Sequence, residues 1–332
     1  MPYTIERITG LIDADRIGID ETTIDWLLTD SRSLAFPEET LFFAISSKRN
    51  NGANYIPDLY ARGVRNFVVG KDFRNGKDND SLLAEYPGSN FLIVTNPLSA
   101  LQKLAEKHRQ QFDIPVIGIT GSNGKTIVKE WLHQLLSPDK SIVRSPRSYN
   151  SQIGVPLSVW QMNKHNDLAI FEAGISETGE MRLLEKIIQP TIGILTNLGG
   201  AHQENFFSMQ EKCQEKLSLF KTCDVIIYNA DDELISNCFS RLLISSREIA
   251  WSKIDKERPL FINKVDKKTD HTLITYTYLG MTNTFRIPFV DEASIENALH
   301  CLGACLYLML APEDISARMA HLEPVAMRLE VK

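Results

Sequence analysis

Gly118-Ile119-Thr120-Gly121-Ser122-Asn123-Gly124-Lys125-Thr126 decides how this chain folds. Val116–Thr120 reads as a short apolar strand, and Lys125–Leu136 has helical spacing. Between them, glycines let the backbone turn and aim its N–H groups at phosphate oxygens. The helix beginning near Lys125 adds the positive end of its dipole. In such a cradle Lys125 reaches the β- and γ-phosphates of a nucleotide, and the Thr126 hydroxyl ligates Mg²⁺, so the ligand pointed to is ATP-Mg²⁺. The strict pattern G-x-x-x-x-G-K-[ST] is not met, because Ile119 stands at its first glycine. The alternative is a glycine-rich turn with a chance Lys-Thr. The strand before and the helix after favour the cradle.

Outward from this loop, Leu168–Glu172, Thr191–Thr196 and Asp224–Tyr228 are three more apolar strands with helical stretches between most of them. Strands alternating with helices predict βαβ units and a parallel sheet, which binds ligands at its carboxyl edge. From Leu260 to Phe289 the pattern turns β-rich, with Asp266–Asp270 as a turn, so an antiparallel ribbon is expected. Ser294–Leu310 returns to helix with Ser294 as its N-cap, and a short helix follows Pro312. Before the loop, Leu41–Ile45, Asn66–Val69 and Phe91–Val94 look like strands and Pro97–Gln111 like a helix. Phe112-Asp113-Ile114-Pro115 then breaks the pattern, and a domain boundary is placed there.

Length and composition agree with two domains. The chain has 332 residues, 43% apolar and 23% charged, as in an ordinary globular protein. A net charge of −6 offers no broad basic field, so nucleic acid is not an expected partner. Five cysteines, an odd number with no C-x-x-C pair, read as free thiols of a reducing compartment. No secretory leader is evident, and no apolar run approaches the ~20 residues of a membrane span. The cytoplasm is the expected location, without membrane insertion.

Further chemistry-bearing residues follow the strands. Glu172 ends a buried strand one strand away from the loop, where a carboxylate can complete a Mg²⁺ shell. His202, after the Thr196–Ala201 turn, is either a structural or surface histidine or a ligand for a second divalent ion. Lys216, on the helical stretch Gln210–Phe220, reads from its own spacing as a solvated lysine. Asn229-Ala230-Asp231-Asp232 either touches nucleotide or caps the next helix.

Taken in order, these segments resemble the ATP-dependent Mur ligases over essentially the whole chain. Thr120–Thr126 looks like the family's T-G-[ST]-x-G-K-T, and Asn150 with Ile153-Gly154-Val155-Pro156 looks like the stretch that follows it. Glu172, His202 and Lys216 fall in the order of the family's metal site. Asn229-Ala230-Asp231 and Ile295–Leu299 resemble its nucleotide-contacting segments. Asp30-Ser31-Arg32 followed by Leu41-Phe42-Phe43-Ala44 resembles its UDP-sugar signature. Two departures resemble members fused to an alanine racemase. Ala293–Asn297 keeps only Asn297 of an H-N-x-x-N pattern, and Arg49–Tyr55 keeps Arg49 and Gly52 but has Ala53 where histidine is usual.

The resemblance implies an α/β architecture. A small N-terminal α/β UDP-sugar-binding domain (1–112) would precede a central P-loop-type parallel-sheet ATPase domain with an antiparallel β ribbon (113–324). It implies an ATP-dependent peptide ligase of peptidoglycan precursor synthesis, which adds D-alanyl-D-alanine to UDP-N-acetylmuramoyl-tripeptide through an acyl phosphate. ATP would lie on Gly121, Ser122, Asn123, Gly124, Lys125, Thr126 and Asn297. Thr126 and Glu172 would hold one Mg²⁺, and His202 and Lys216 a second, with Lys216 carried as a carbamate. Lys125, His202 and Lys216 would be catalytic, and Ser31, Arg32, Arg49 and Asn150 would bind the UDP substrate. Pro324–Val331 looks like a junction into a third domain, so the chain is expected to be an inactive two-domain part that needs the C-terminal domain of the same full-length protein. Other amide ligases of this superfamily, including folyl-polyglutamate synthases, are the nearest alternatives, and a non-catalytic nucleotide-binding module is another. The Asp30-Ser31-Arg32 segment argues against folate.

Overall fold

The computed structural model describes residues 2–47, 50–74, 76, 78–200, 205–241 and 246–325. It divides into two compact units, one of Met1–Phe112 with Val159–Lys164, the other of Asp113–Ser158 with His165–Lys332. The chain therefore returns to the first unit for six residues, which no local sequence pattern announces.

The first unit holds strands β1 (Tyr3–Thr4), β2 (Asp15–Ile17), β3 (Thr23–Ile24), β4 (Trp26–Leu28), β5 (Thr40–Phe43), β6 (Asn66–Gly70) and β7 (Asn90–Val94). Helices α1 (Ile5–Leu11), α2 (Ile56–Ala61), α3 (Asn79–Glu85) and α4 (Pro97–Arg109) accompany them. Its five-stranded sheet runs β2-β7-β6-β5-β4, parallel except for β2. Strands β5 and β7 are buried along their whole length, which is why they read as unbroken apolar runs. Helix α4 starts where the Asn96 side chain accepts from the Ser99 amide and Pro97 fixes the first turn. Buried His108, near its end, accepts from the Tyr3 hydroxyl at Nδ1 (2.7 Å) and donates from Nε2 to the Met162 carbonyl (3.0 Å). The re-entrant Trp160 donates to the Asp25 carbonyl and lies against the Tyr3 and His108 rings.

The second unit is built on one nine-stranded sheet. Its strands are β8 (Val116–Thr120), β9 (Ile142–Arg144), β10 (Leu168–Glu172), β11 (Ile192–Leu195), β12 (Val225–Asn229), β13 (Arg247–Ser252), β14 (Leu260–Lys267), β15 (Thr272–Tyr278) and β16 (Met281–Ile287). The order is β16-β15-β14-β13-β12-β11-β8-β10-β9. All neighbours are parallel up to β14, after which β15 and β16 add an antiparallel ribbon to the same sheet. From β8 the chain first builds to one side (β9, β10) and then to the other (β11, β12). The loop after β8 thus sits at the switch point, where such sheets bind ligands. Helices α5 (Lys125–Leu136), α6 (Gly154–Val159), α7 (Glu180–Ile188), α8 (Met209–Leu217), α9 (Glu233–Arg241), α10 (Glu292–Tyr307) and α11 (Pro312–Met319) complete the unit. The core joins Trp131, Leu132 and Leu135 of α5 to Leu299 and Leu302 of α10 over Ile194, Ile227 and Trp251 of the sheet.

Two local expectations are corrected. Helix α10 is capped by Asp291, whose carboxylate accepts from the Ser294 amide, so Ser294 lies inside the first turn. Asp266 and Lys267 remain in β14 and pair with Leu273 and Thr272, which moves the turn two residues on.

Candidate functional site

The loop between β8 and α5 is closed by the turn that follows β11. The Ser122 amide donates to the Asn197 carbonyl (2.9 Å) and the Asn123 amide to Asn197 Oδ1 (3.0 Å). Thr196 Oγ1 donates to the Asn123 carbonyl (2.6 Å), and Ser122 Oγ accepts from the Gly199 amide (2.8 Å). Two glycines make this possible. Gly121 has φ +147°, and a Cβ there would stand 1.9 Å from Thr196 Oγ1. Gly124, the N-cap of α5, has φ +81°, and its Cβ would stand 2.3 Å from Asn297 Oδ1. Asn297, nearly buried on α10, therefore presses its carboxamide against the loop's last residue. Fully buried His300, one turn further along α10, donates from Nε2 to the Thr196 carbonyl (2.8 Å) and accepts from the Trp251 indole at Nδ1 (3.2 Å). Burial holds its pKa down to about 4.

At the start of α5, Thr126 Oγ1 donates to Glu172 Oε2 (3.1 Å) and lies 3.4 Å from Ser148 Oγ. Glu172 closes β10 and its side chain is wholly buried. Its other oxygen, Oε1, forms an ion pair with Lys129 Nζ at 2.9 Å, on a line unsuited to a hydrogen bond. A hydroxyl and a carboxylate side by side at a helix N-terminus beside a phosphate loop are the hard oxygen donors that Mg²⁺ prefers. Among the described residues no group of three or more His, Cys, Asp or Glu comes together.

Three lysines gather at the loop and at the turn that closes it. Lys125 Nζ donates to the Gly121 (2.8 Å) and Ser122 (3.3 Å) carbonyls, and Lys216 Nζ to the Gly121 carbonyl (3.1 Å). Lys212, one turn before Lys216 on α8, donates to the Gly199 carbonyl (2.6 Å). Burial pushes Lys216 down to about 7, helped by the charges of Lys125 and Lys212. Lys125 is lowered by burial too, with Lys212 adding to the effect and Glu172 opposing it. Lys216 is thus a buried amine in a cationic neighbourhood, not a solvated surface lysine. Asp232 accepts from the Ile235 amide and so caps α9, while Asn229 donates to Glu296 of α10 (3.3 Å). His202 and Arg49 lie outside the described residues.

In the first unit, Asp30 accepts from the Arg32 amide and grips the Arg32 guanidinium with both oxygens, and that pairing holds its carboxyl below the usual range. Arg32 remains largely exposed, and the Ser31 carbonyl accepts from Arg62 (2.9 Å). A cavity of about 460 Å³ opens at the carboxyl ends of β5, β6 and β7, lined among others by Ser46, Asn51, Asn54, Asp72, Thr95 and Asn96. Neither Ser31 nor Arg32 lines it. The signal available for it was positional: these residues follow the three strands read from the sequence before the loop. Asn150 belongs to the second unit, where its carbonyl accepts from the Gly174 amide just beyond Glu172 (2.8 Å).

The switch-point loop, its hydroxyl–carboxylate pair and its ring of buried amines define an α/β protein of the P-loop type. Residues 119–305 match the Mur ligase middle domain, and the chain belongs to the Mur ligase family. It is similar to the UDP-N-acetylmuramoyl-tripeptide--D-alanyl-D-alanine ligase of Bacillus subtilis, with 28% identity over 315 residues, 94% of this chain and 65% of the relative. The protein of the same name from Borreliella burgdorferi is also 28% identical, over 94% of this chain and 63% of its own. The chain thus spans somewhat less than two thirds of the length of these relatives. MurF from Acinetobacter baumannii shares the fold at a TM-score of 0.84 and 23% identity, covering 98% of this chain and 68% of that one. MurF ligase from Thermotoga maritima in complex with ADP shares it at 0.74 and 21%, covering 90% and 66%. Among the described residues no helix is long and apolar enough to cross a membrane.

Proposed function

We propose that this chain carries the UDP-substrate and ATP sites of an ATP-dependent ligase that joins D-alanyl-D-alanine to UDP-N-acetylmuramoyl-tripeptide. The observation that carries it is the convergence of Lys125 and Lys216 on the β8–α5 loop, with Lys212 on the turn that closes it, beside the Thr126–Glu172 pair. Cationic amines and loop amides suit the phosphates of ATP, and the oxygen pair suits its Mg²⁺. Phosphoryl transfer to a carboxylate asks for this kind of positioning and charge neutralisation.

In this reading Lys125 and the amides of 121–126 hold the β- and γ-phosphates. Thr126 and Glu172 hold one Mg²⁺, and His202 with Lys216 a second. Bound Mg²⁺ would supply charge neutralisation between the γ-phosphoryl group and the substrate carboxylate. Lys216 as an ammonium cannot ligate a cation. Its unprotonated amine can attack CO₂, forming an N–C bond and releasing a proton, which leaves an anionic carbamate. The tripeptide's terminal carboxylate accepts the γ-phosphoryl group, ADP leaves, and the dipeptide amine displaces phosphate from the acyl carbon. The first-unit cavity at the ends of β5, β6 and β7 seats the UDP-sugar, with the Ser31–Arg32 turn as a further substrate contact.

The test is ATP-dependent phosphate release by the full-length protein, crossing UDP-N-acetylmuramoyl-tripeptide with D-alanyl-D-alanine and with single amino acids. Release only with the dipeptide supports the assignment, and release only with a single amino acid assigns another step of the family. Lys216→Ala should abolish release, with partial rescue by acetate or another small carboxylate. Near-normal turnover of Lys216→Ala would sink the carbamate.

A further inference from the structure

Lys129 lies one turn into α5. Its side chain is wholly buried, as is that of Glu172, to which it is paired. Nζ also lies 3.1 Å from Glu130 Oε1 and donates to the carbonyls of Ser145 (2.8 Å) and Arg147. Ser145 closes the circuit from the other side, since its Oγ accepts from the Glu172 amide (3.2 Å). Arg147 has φ +51°, a left-handed conformation that costs a non-glycine residue energy and persists only where its surroundings impose it. The next residue, Ser148, brings its hydroxyl to within 3.4 Å of Thr126 Oγ1.

We propose that Lys129 is a positioning residue of the metal site: a resident cation that holds Glu172 charge-balanced and aligned before any metal arrives, and pins the strained turn that presents Ser148 to Thr126. It would touch neither nucleotide nor metal. A buried carboxylate without a counter-charge is strongly unfavourable. Lys129 meets that need through Oε1 and leaves Oε2 to the Thr126 hydroxyl, the oxygen on the nucleotide side. The site is therefore assembled in the absence of Mg²⁺, and a bound ion needs only one oxygen of Glu172. The role of Thr126 and Glu172 as metal ligands rests on the function proposed above, whereas the charge balance between Lys129 and Glu172 does not.

The experiment is thermal melting of the whole protein and of Lys129→Met, Glu172→Gln and the double variant, in EDTA and in Mg²⁺ without nucleotide. In EDTA, Lys129→Met should lower the melting temperature by on the order of 10 °C. The double variant should melt no lower than Lys129→Met, because the uncompensated charge is gone. Mg²⁺ should raise the melting temperature of Lys129→Met by several degrees more than that of the parent, as the ion takes over the counter-charge on Glu172. That extra shift should vanish in the double variant. Hydrogen exchange of the 145–150 amides in EDTA should accelerate at least tenfold in Lys129→Met and recover with Mg²⁺. Additive losses in the double variant, or turn protection unchanged by Lys129→Met, would overturn the proposal. An equal Mg²⁺ shift in parent and Lys129→Met would reduce Lys129 to a structural residue and equally overturn it. If the additivity and exchange results hold while ligation assays fail, the error lies in the proposed reaction and not in Lys129.

Discussion

His108 and His300 are each held by one donor and one acceptor, which fixes them as neutral rings with the proton on Nε2. Burial lowers both to about 4. Between pH 4 and 6.5 the unfolded chain takes up protons that these folded rings refuse. Stability is therefore full above pH 6.5 and is lost as pH falls towards 4, by about 3 kcal/mol per histidine at pH 4. Chemical denaturation from pH 7 to 4 should show that the cost of His300→Gln, measured against the parent, shrinks by about that amount on acidification. A pH-independent difference would exclude His300 as the titrating group. The consequence reaches the β8–α5 loop, because His300 holds the Thr196 carbonyl and Thr196 in turn holds that of Asn123.

At the scale of elements, α10 is the second wall of the β8–α5 loop, since it carries both Asn297 and His300. Its start depends on Asp291. Asp291→Ala should cost about 1 kcal/mol by urea denaturation, and Ser294→Ala much less. Equal losses would return the cap to Ser294. The strands that frame the loop were legible because β8, β10, β11 and most of β12 are buried on both faces, which leaves continuous apolar runs. Strand β13 was not, because its first two residues, Arg247 and Glu248, are exposed and break the run. The three-residue strands β4 and β9 are too short to carry a period. The same contrast holds in the site. Lys125 and Thr126 declare themselves by spacing within one loop. Lys129 and Lys212 do not, because the groups they grip at Ser145, Glu172 and Gly199 come from distant turns that only the fold brings together.

For the whole molecule, the division into units is not a division of the chain at one point. Residues Val159–Lys164 belong to the first unit although the second has already begun at Asp113. Trp160 is the anchor of that return, nearly buried against Tyr3 and His108 and donating to Asp25 (2.8 Å). Trp160→Ala in the intact protein should destabilise the first unit by about 3–5 kcal/mol. Hydrogen exchange should locate the loss in α1 and α4, and a loss confined to the second unit would contradict the assignment. The threading also governs how the protein is made. Domains tend to fold in order of synthesis, the N-terminal one first, as the chain leaves the ribosome. Here the N-terminal unit has every strand of its sheet by Phe112 but must wait some fifty residues for its last segment, by which time β8, α5 and β9 have emerged. Its nascent form lacks the indole of Trp160, and the β8–α5 loop is synthesised before the first unit receives its last segment.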